Sequence, residues 1–381
     1  MPGNITRLPV ILICFLMCCC FLPHPNDAWA GLKPAGNFNK VSPDVKRHKG
    51  PAERRDQAAV KGLQWLDAFL DRDDHFKTMP FETYQFFYVC SLTSANPQFQ
   101  RKAQKAADKY AIRLKNHCLN LRDPMERYDF LQLLEFLSKR ENSHIDYTAL
   151  LDKAKNNYVL YKRTTDIYGT PIENLKQADW KGVYETLLYA YFLEKADAEF
   201  PNVFPVDFRL TDILQFLKNK NFIHFADDPS EDKQRAVQDA FIVTHMAYML
   251  GNYSQLRLYE RDAPWLYKYL RRNFDDILAM DHLDLIGECV DIFRSLGYTE
   301  ENCEIVRKGT AYLIARQNAD GSWGKNNEED NSVYDKMHPT SCAVWALRTR
   351  TFLADTKYDR RIRRIVQELN RVGENDALAS P

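Results

Sequence analysis

The chain has 381 residues with 52 basic and 52 acidic side chains, so its net charge is zero, and 45% of it is hydrophobic. A neutral balance argues against nucleic acid, whose binding rests on clustered neutralisation of phosphates. The nine cysteines include no C-x-x-C spacing.

In chain order, Met1–Ala30 reads as a secretory leader. Arg7 supplies the positive charge, Leu8–Leu22 the apolar run and Ala28-Trp29-Ala30 a small-residue cleavage site. The run is shorter than the ~20 apolar residues of a membrane span, so the mature chain is expected to be secreted or periplasmic without a transmembrane segment. Losing Arg7 and Asp27 leaves 51 charges of each sign, and four cysteines fall within the leader. Cys90, Cys118, Cys289, Cys303 and Cys342 remain, too scattered for a disulfide framework, with room for one or two bridges. Asn252-Tyr253-Ser254 is a glycosylation sequon. Residues 31–55, rich in Lys, Pro, Gly and Asn, read as a linker or extended arm.

From Asp56 to about Val372 the chain reads as helix after helix. Segments 81–95, 126–139, 181–195, 239–252, 282–297 and 339–353 are apolar on nearly all sides, as buried helices are. Between them, 57–71, 98–116, 145–160, 207–219, 263–278, 301–317 and 357–372 carry one apolar stripe and many charges. Such alternation is what an all-α (α/α)6 toroid requires, with inner helices buried and outer ones keeping a wet face. One domain over 56–373 and a flexible tail over 374–381 are expected. Loops that precede inner segments are long (Tyr161–Trp180, Lys220–Gln238, Asn318–Met337), and long loops usually carry function.

Residues 308–323, KGTAYLIARQNADGSW, predict a helix stopped by the turn Asn318-Ala319-Asp320-Gly321. Gln317 is placed to cap the last carbonyls and Trp323 to fold back over them. The order basic–Gly–x–x–aromatic–Leu–x–x–x–Gln–x–x–x–Gly–x–Trp resembles the QW repeat of squalene and oxidosqualene cyclases, whose toroidal relatives include protein prenyltransferases. Lys61–Leu70 is a faded copy, with Leu70 at the Gln position, Asp74 at the Gly and Phe76 at the Trp. Internal similarity of this kind implies helical units stacked in a ring.

Two inner segments open with metal- or proton-handling residues: Asp281-His282-Leu283-Asp284, and His338-Pro339, where Pro339 suits a first helical turn. The prenyltransferase resemblance implies a zinc held by an Asp-x-Cys at one inner-helix start and a His at the next. His338 and Asp281 take the His and Asp places. Leu283 stands at the Cys place, so a further ligand must come from Asp284, His282 or His245. The candidate metal set is therefore His338, Asp281, His282 and Asp284, for one divalent ion such as zinc. The alternative is that His282 and His338 simply cap helices beside solvent. His245, among apolar neighbours, reads either as a core histidine or as a cavity group. Asp284, Glu288 and Asp291 share one helical face, which makes Glu288 a candidate acid or base beside His338, His245 and Asp284. Glu185 and Tyr189 are expected to face the same space. Asp71-Arg72-Asp73-Asp74 spells the D-x-D-D cyclase motif, but on the turn after an outer helix, and reads as a solvated acidic turn.

Three functions follow. The first is an exported toroid enzyme similar to terpenoid cyclases and prenyltransferases, with a small-molecule or lipid ligand in its central cavity. The second is a carbohydrate-active toroid binding oligosaccharide on Tyr168, Trp180, Tyr184 and Trp345. The third is a non-catalytic binding protein.

Overall fold

The computed structural model describes residues 50–139, 145–161, 174–205, 209–230, 233–325, 331–354 and 356–378. The expected leader, Tyr168 and residues 326–330 of the long loop before Met337 therefore lie outside the described residues. Among the described residues the chain is all-helical, with no strand and only two isolated bridges, Ser94 to Arg350 and Leu256 to Leu353.

The helices are α1 (Pro51–Leu70), α2 (Asp73–Thr78), α3 (Pro80–Thr93), α4 (Pro97–Asn120), α5 (Arg127–Leu137), α6 (Thr148–Leu160) and α7 (Trp180–Glu199). They continue with α8 (Leu210–Lys218), α9 (Gln234–Leu250), α10 (Pro264–Ala279), α11 (Leu283–Ser295), α12 (Glu304–Ala315), α13 (Val333–Leu347) and α14 (Lys357–Leu378). Prolines open α1, α3, α4 and α10, where a missing N–H costs nothing. Asn96 caps α4 by accepting from Gln98 N and Phe99 N at 3.0 and 3.2 Å, and Asp179 caps α7 through Gly182 N at 2.8 Å.

Six helices, α3, α5, α7, α9, α11 and α13, bury nearly their whole circumference. Each packs against one amphipathic helix: α4 on α3, α6 on α5, α8 on α7, α10 on α9, α12 on α11, and α1 on α13. The buried helices also touch in succession from α5 through α7, α9 and α11 to α13. Side chains supply the remaining links. Phe86 of α3 stacks on Trp345 of α13 at 5.9 Å, while Tyr128 and Gln132 of α5 donate to Glu82 of α3 at 2.8 and 3.0 Å.

The 308–323 motif folds as its residues dictate. Gly321 takes φ +101°, a conformation that suits glycine, and the chain doubles back. Trp323 is fully buried, and its Nε1 donates to the Leu313 carbonyl at 2.6 Å. Gln317 lies just past the helix end, half-buried, and donates from Nε2 to Gly321 O and Ala58 O, both at 2.9 Å. One side chain thereby ties α12 to α1. Gly309 and Gly62 do the same work as each other. A methyl group on Gly309 would meet Val290 of α11, and one on Gly62 would meet Val344 of α13 at 2.5 Å and Trp323 at 2.7 Å. Glycine lets each amphipathic helix approach its buried partner. After α1, Phe76 is buried against Tyr110 at 5.8 Å, and Nδ1 of His75 sits 2.7 Å from Phe69 O near the helix end.

Several boundaries differ from expectation. The first helix begins at Pro51, so residues 51–55 are helical rather than part of an arm, and α14 continues to Leu378, past residue 373. α13 begins at Val333, six residues ahead of Pro339, because Ser332 and Asp335 form a capping box. Pro339 lies inside the helix, and His338 is in its second turn rather than at its start. Among the described residues Cys90, Cys118, Cys289, Cys303 and Cys342 are free thiols.

Candidate functional site

A cavity of about 100 Å³ lies among the six buried helices, with residues of each in its wall. One end is built where α11 and α13 run side by side, so close that a methyl group on Gly287 would lie 2.8 Å from the backbone of Cys342. There Nδ1 of His338 is 3.2 Å from Oδ2 of Asp284. Cys342, one turn further along α13, places Sγ 3.8 Å from both ring nitrogens of His338. Donor atoms of Asp284, His338 and Cys342 all lie within 4.8 Å of one another. Tyr334, one turn before His338, stacks on its ring at 4.6 Å and fixes its plane.

Burial and charge shape this group. Burial works against ionised Asp284, but the adjacent His338 outweighs it and holds the carboxyl below the usual carboxylate range. Burial likewise works against protonated His338, and the charge and hydrogen bond of Asp284 reverse the effect and raise it. Oδ1 of Asp284 is buried with no hydrogen-bond partner, an unusual condition for a carboxylate oxygen.

Glu288 follows on the same face of α11. It lines the cavity and accepts from Thr244 Oγ1 at 2.6 Å. Burial pushes its carboxyl up to about 8, opposed by His338 and Thr244. His245 also lines the cavity. Its Nδ1 lies 2.9 Å from its own helix's Phe241 carbonyl, an arrangement that makes Nδ1 the donor and leaves Nε2 as an acceptor. Burial lowers this imidazole to about 4, so it stays neutral. It is both a core histidine bonded to a neighbour and a cavity group.

Other candidates fall elsewhere. Asp281 precedes α11 in the left-handed region, φ +55°, so its side chain leaves the helical face. Its carboxylate is taken by Arg316 at 2.7 Å and by the Tyr312 hydroxyl at 2.7 Å, both from the 308–323 motif. It belongs to the α11–α12 joint rather than to the donor group. His282 caps nothing with its side chain; its ring lies edge-on to Phe241, 5.4 Å between centroids, outside the three-donor cluster. Asp291 is fully buried but engages Arg348, Arg350 and Ser254 at the opposite ends of the helices. Glu185 and Tyr189 do not line the cavity; Tyr184, Leu188 and Phe192 do. The Asp71–Asp74 turn is exposed and paired with Lys109, Arg113 and Arg72. The sequon is unavailable as folded, since Asn252 is buried and accepts from the Tyr191 hydroxyl at 2.8 Å.

Sequence reasoning passed over two contributors. Cys342 carried a signal, its i, i+4 spacing from His338, which puts both on one helical face. Glu82 carried none, being one acid in the first turn of an apolar helix; it lines the cavity, and burial raises its carboxyl. Comparison with known proteins finds no matching family model, no matching curated protein and no matching solved structure.

Glu288 gives a direct test of this electrostatic picture. Because its folded-state pKa is raised, its contribution to stability is present below about 4.5 and is lost as pH rises through 8. Glu288→Gln does not titrate. In metal-free protein, variant and parent should match in urea denaturation near pH 4, and the variant should be more stable by roughly 5 kcal/mol at pH 9. Equal stabilities at both pH values would refute the buried, protonated acid.

Proposed function

We propose that this chain is an (α/α)6 toroid, similar in architecture to terpenoid cyclases and protein prenyltransferases, exported by its leader, and that it is a metal-dependent enzyme. Asp284, His338 and Cys342 hold one divalent ion of the zinc class in the central cavity, and His245 and Glu288 are its acid–base groups. The helix pairing and the two glycine-mediated repeat units support the ring. The single observation that carries the metal is the meeting of a carboxylate, an imidazole and a thiol within 4.8 Å, with Oδ1 of Asp284 left unsatisfied beside them.

The donor chemistry fits. Zinc bonds of ~2.0–2.3 Å put tetrahedral corners roughly 3.3–3.8 Å apart; the two separations from His338 are 3.2 and 3.8 Å, and all three donors lie within 4.8 Å of one another. Three protein donors leave one corner for water or substrate, the composition of a catalytic rather than a structural zinc site. Such an ion polarises a bound carbonyl or lowers the pKa of a bound water. A Cys–His–Asp nucleophilic triad uses the same residues, but Sγ lies equally far from both ring nitrogens, 3.8 Å each, instead of facing one N–H. Geometry favours the metal.

Size also narrows the substrate. Ligand pockets commonly measure ~300–1,000 Å³, and this cavity of about 100 Å³ suits a small molecule better than a long isoprenoid or an oligosaccharide. Of the aromatic residues suited to sugars, Tyr184 and Trp345 line it, whereas Trp180 stacks on Tyr184 and donates to Gln238 O.

Elemental analysis of the purified protein tests the reading. About one zinc per chain is expected, with loss of at least tenfold affinity in His338→Ala and Cys342→Ser and none in Asp281→Asn. Protein that neither carries nor takes up a divalent ion would end the proposal. Loss on Asp281→Asn with retention in Cys342→Ser would move the site.

A further inference from the structure

We infer that the cavity binds a small, uncharged molecule with an apolar body and a carbonyl-type acceptor, held by Gln85, Tyr248 and Tyr253. The inference rests on the cavity described above but not on the metal.

Among the described residues that line the cavity there is no lysine or arginine. An anion such as a diphosphate would be desolvated there against only the His338 imidazole, which is already paired with Asp284, and burial makes that very costly. The lining is instead rich in aromatic faces, which favour a planar or aliphatic body.

Hydrogen-bond accounting supplies the polar half. Nε2 of Gln85 and Oη of Tyr248 are buried and have no partner, and both residues line the cavity with only 7% and 3% of their surface exposed. Native interiors leave few such donors unsatisfied, and each calls for an occupant. Both offer N–H or O–H, so both call for an acceptor. Neighbouring protonatable acids do not fill the role: Glu82 is engaged by Tyr128 and Gln132, and Glu288 by Thr244.

Tyr253 adds an independent observation. Asn252, Tyr253 and Ser254 take φ values of 48, 51 and 64°, three consecutive left-handed residues, none of them glycine. This conformation is unfavourable for L-residues and persists only where the surroundings impose it. Asn252 accepts from Tyr191, Ser254 donates to Asp291, and Gln255 donates to Asn252 O at 2.7 Å. The turn so held presents the Tyr253 ring to the cavity, stacked on Tyr248 at 5.6 Å with planes 4° apart. Among the described residues its hydroxyl has no hydrogen bond, so two parallel phenols stand side by side without an acceptor.

The test uses three near-isosteric probes that differ in charge: benzamide, benzoate and benzamidine. Binding is measured by calorimetry on the full mature chain, both EDTA-treated and zinc-loaded. Benzamide should bind in both forms with a Kd at least tenfold below those of the other two. Tyr248→Phe and Gln85→Leu should each weaken benzamide about tenfold while leaving the melting temperature of the free protein unchanged or higher, because each removes an unsatisfied donor. That pairing separates a ligand-binding role from a structural one. Equal or tighter binding of benzoate or benzamidine, no binding of any probe, benzamide affinity unchanged in either variant, or a lowered melting temperature in both would overturn the inference. Benzamide binding that appears only after zinc loading would also overturn it, while leaving the metal reading intact.

Discussion

Asp291→Ala is expected to destabilise the protein by about 4 kcal/mol, because it strands two buried guanidinium groups. Asp291 and Arg348 are fully buried 3.1 Å apart, and Arg350 meets the same carboxylate. Arg348 is otherwise held by Thr93 Oγ1 at 3.3 and 3.2 Å and by Trp345 O, and Arg350 also donates to Asp291 O at 3.1 Å. These contacts sit where the chain leaving α13 bridges to the end of α3, through Ala95 N to Thr349 O and Thr351 N to Thr93 O, both 2.8 Å. Loss of the carboxylate therefore loosens the joint between the last buried helix and the first. Asp73→Ala provides the contrast. Its partner Arg113 lies 2.7 Å away, but Asp73 is 83% exposed, and surface pairs contribute only ~0–1 kcal/mol. Urea denaturation of both variants measures the difference, and a loss below ~1 kcal/mol in Asp291→Ala would show that the cluster is dispensable.

Trp323→Ala should cost roughly 3–5 kcal/mol, the range for deleting a large aromatic side chain from a packed core. The indole is fully buried, donates to Leu313 O at 2.6 Å and closes over Gly62 of α1. The backbone of the same residue is fixed as well, with Trp323 N donating to Thr340 Oγ1 at 3.0 Å. Trp323→Phe keeps most of the apolar volume but drops the N–H, leaving Leu313 O with only the Arg316 N–H at 3.2 Å, and should lose about 1 kcal/mol. The ordering Ala worse than Phe worse than parent separates packing from hydrogen bonding. Equal losses in the two variants would mean that the hydrogen bond, not the filled volume, holds the turn.

How much of the site could be read in advance depended on local geometry. Asp284 and Glu288 were legible because a four-residue spacing on one helix always gives one face. His338 was legible as a polar residue on an apolar helix, though its place in the helix was misjudged. Pro339 resembled a first-turn proline, and the Ser332–Asp335 capping box that actually starts α13 lies in a segment that reads as loop. Asp281 and Asp284 are only three residues apart in sequence, yet one joins Arg316 and the other His338. The left-handed backbone at Asp281 makes that division, and composition carries no mark of it.

The sequence by itself determined the alternation of buried and amphipathic helices, the turn that follows α12 and the tryptophan that covers the turn. Each of these depends on contacts within a few residues or on a burial pattern along one helix, and both are written in local order. Only the tertiary structure decided which polar residues meet. Cys342 joins His338 and Asp284 because α11 and α13 pack closely at Gly287. Asp291 is drawn instead to two arginines contributed by a segment more than fifty residues away. Helical periodicity assigns a side chain to a face, but the free energy of a buried charge is set by what stands opposite that face, and that partner comes from another helix.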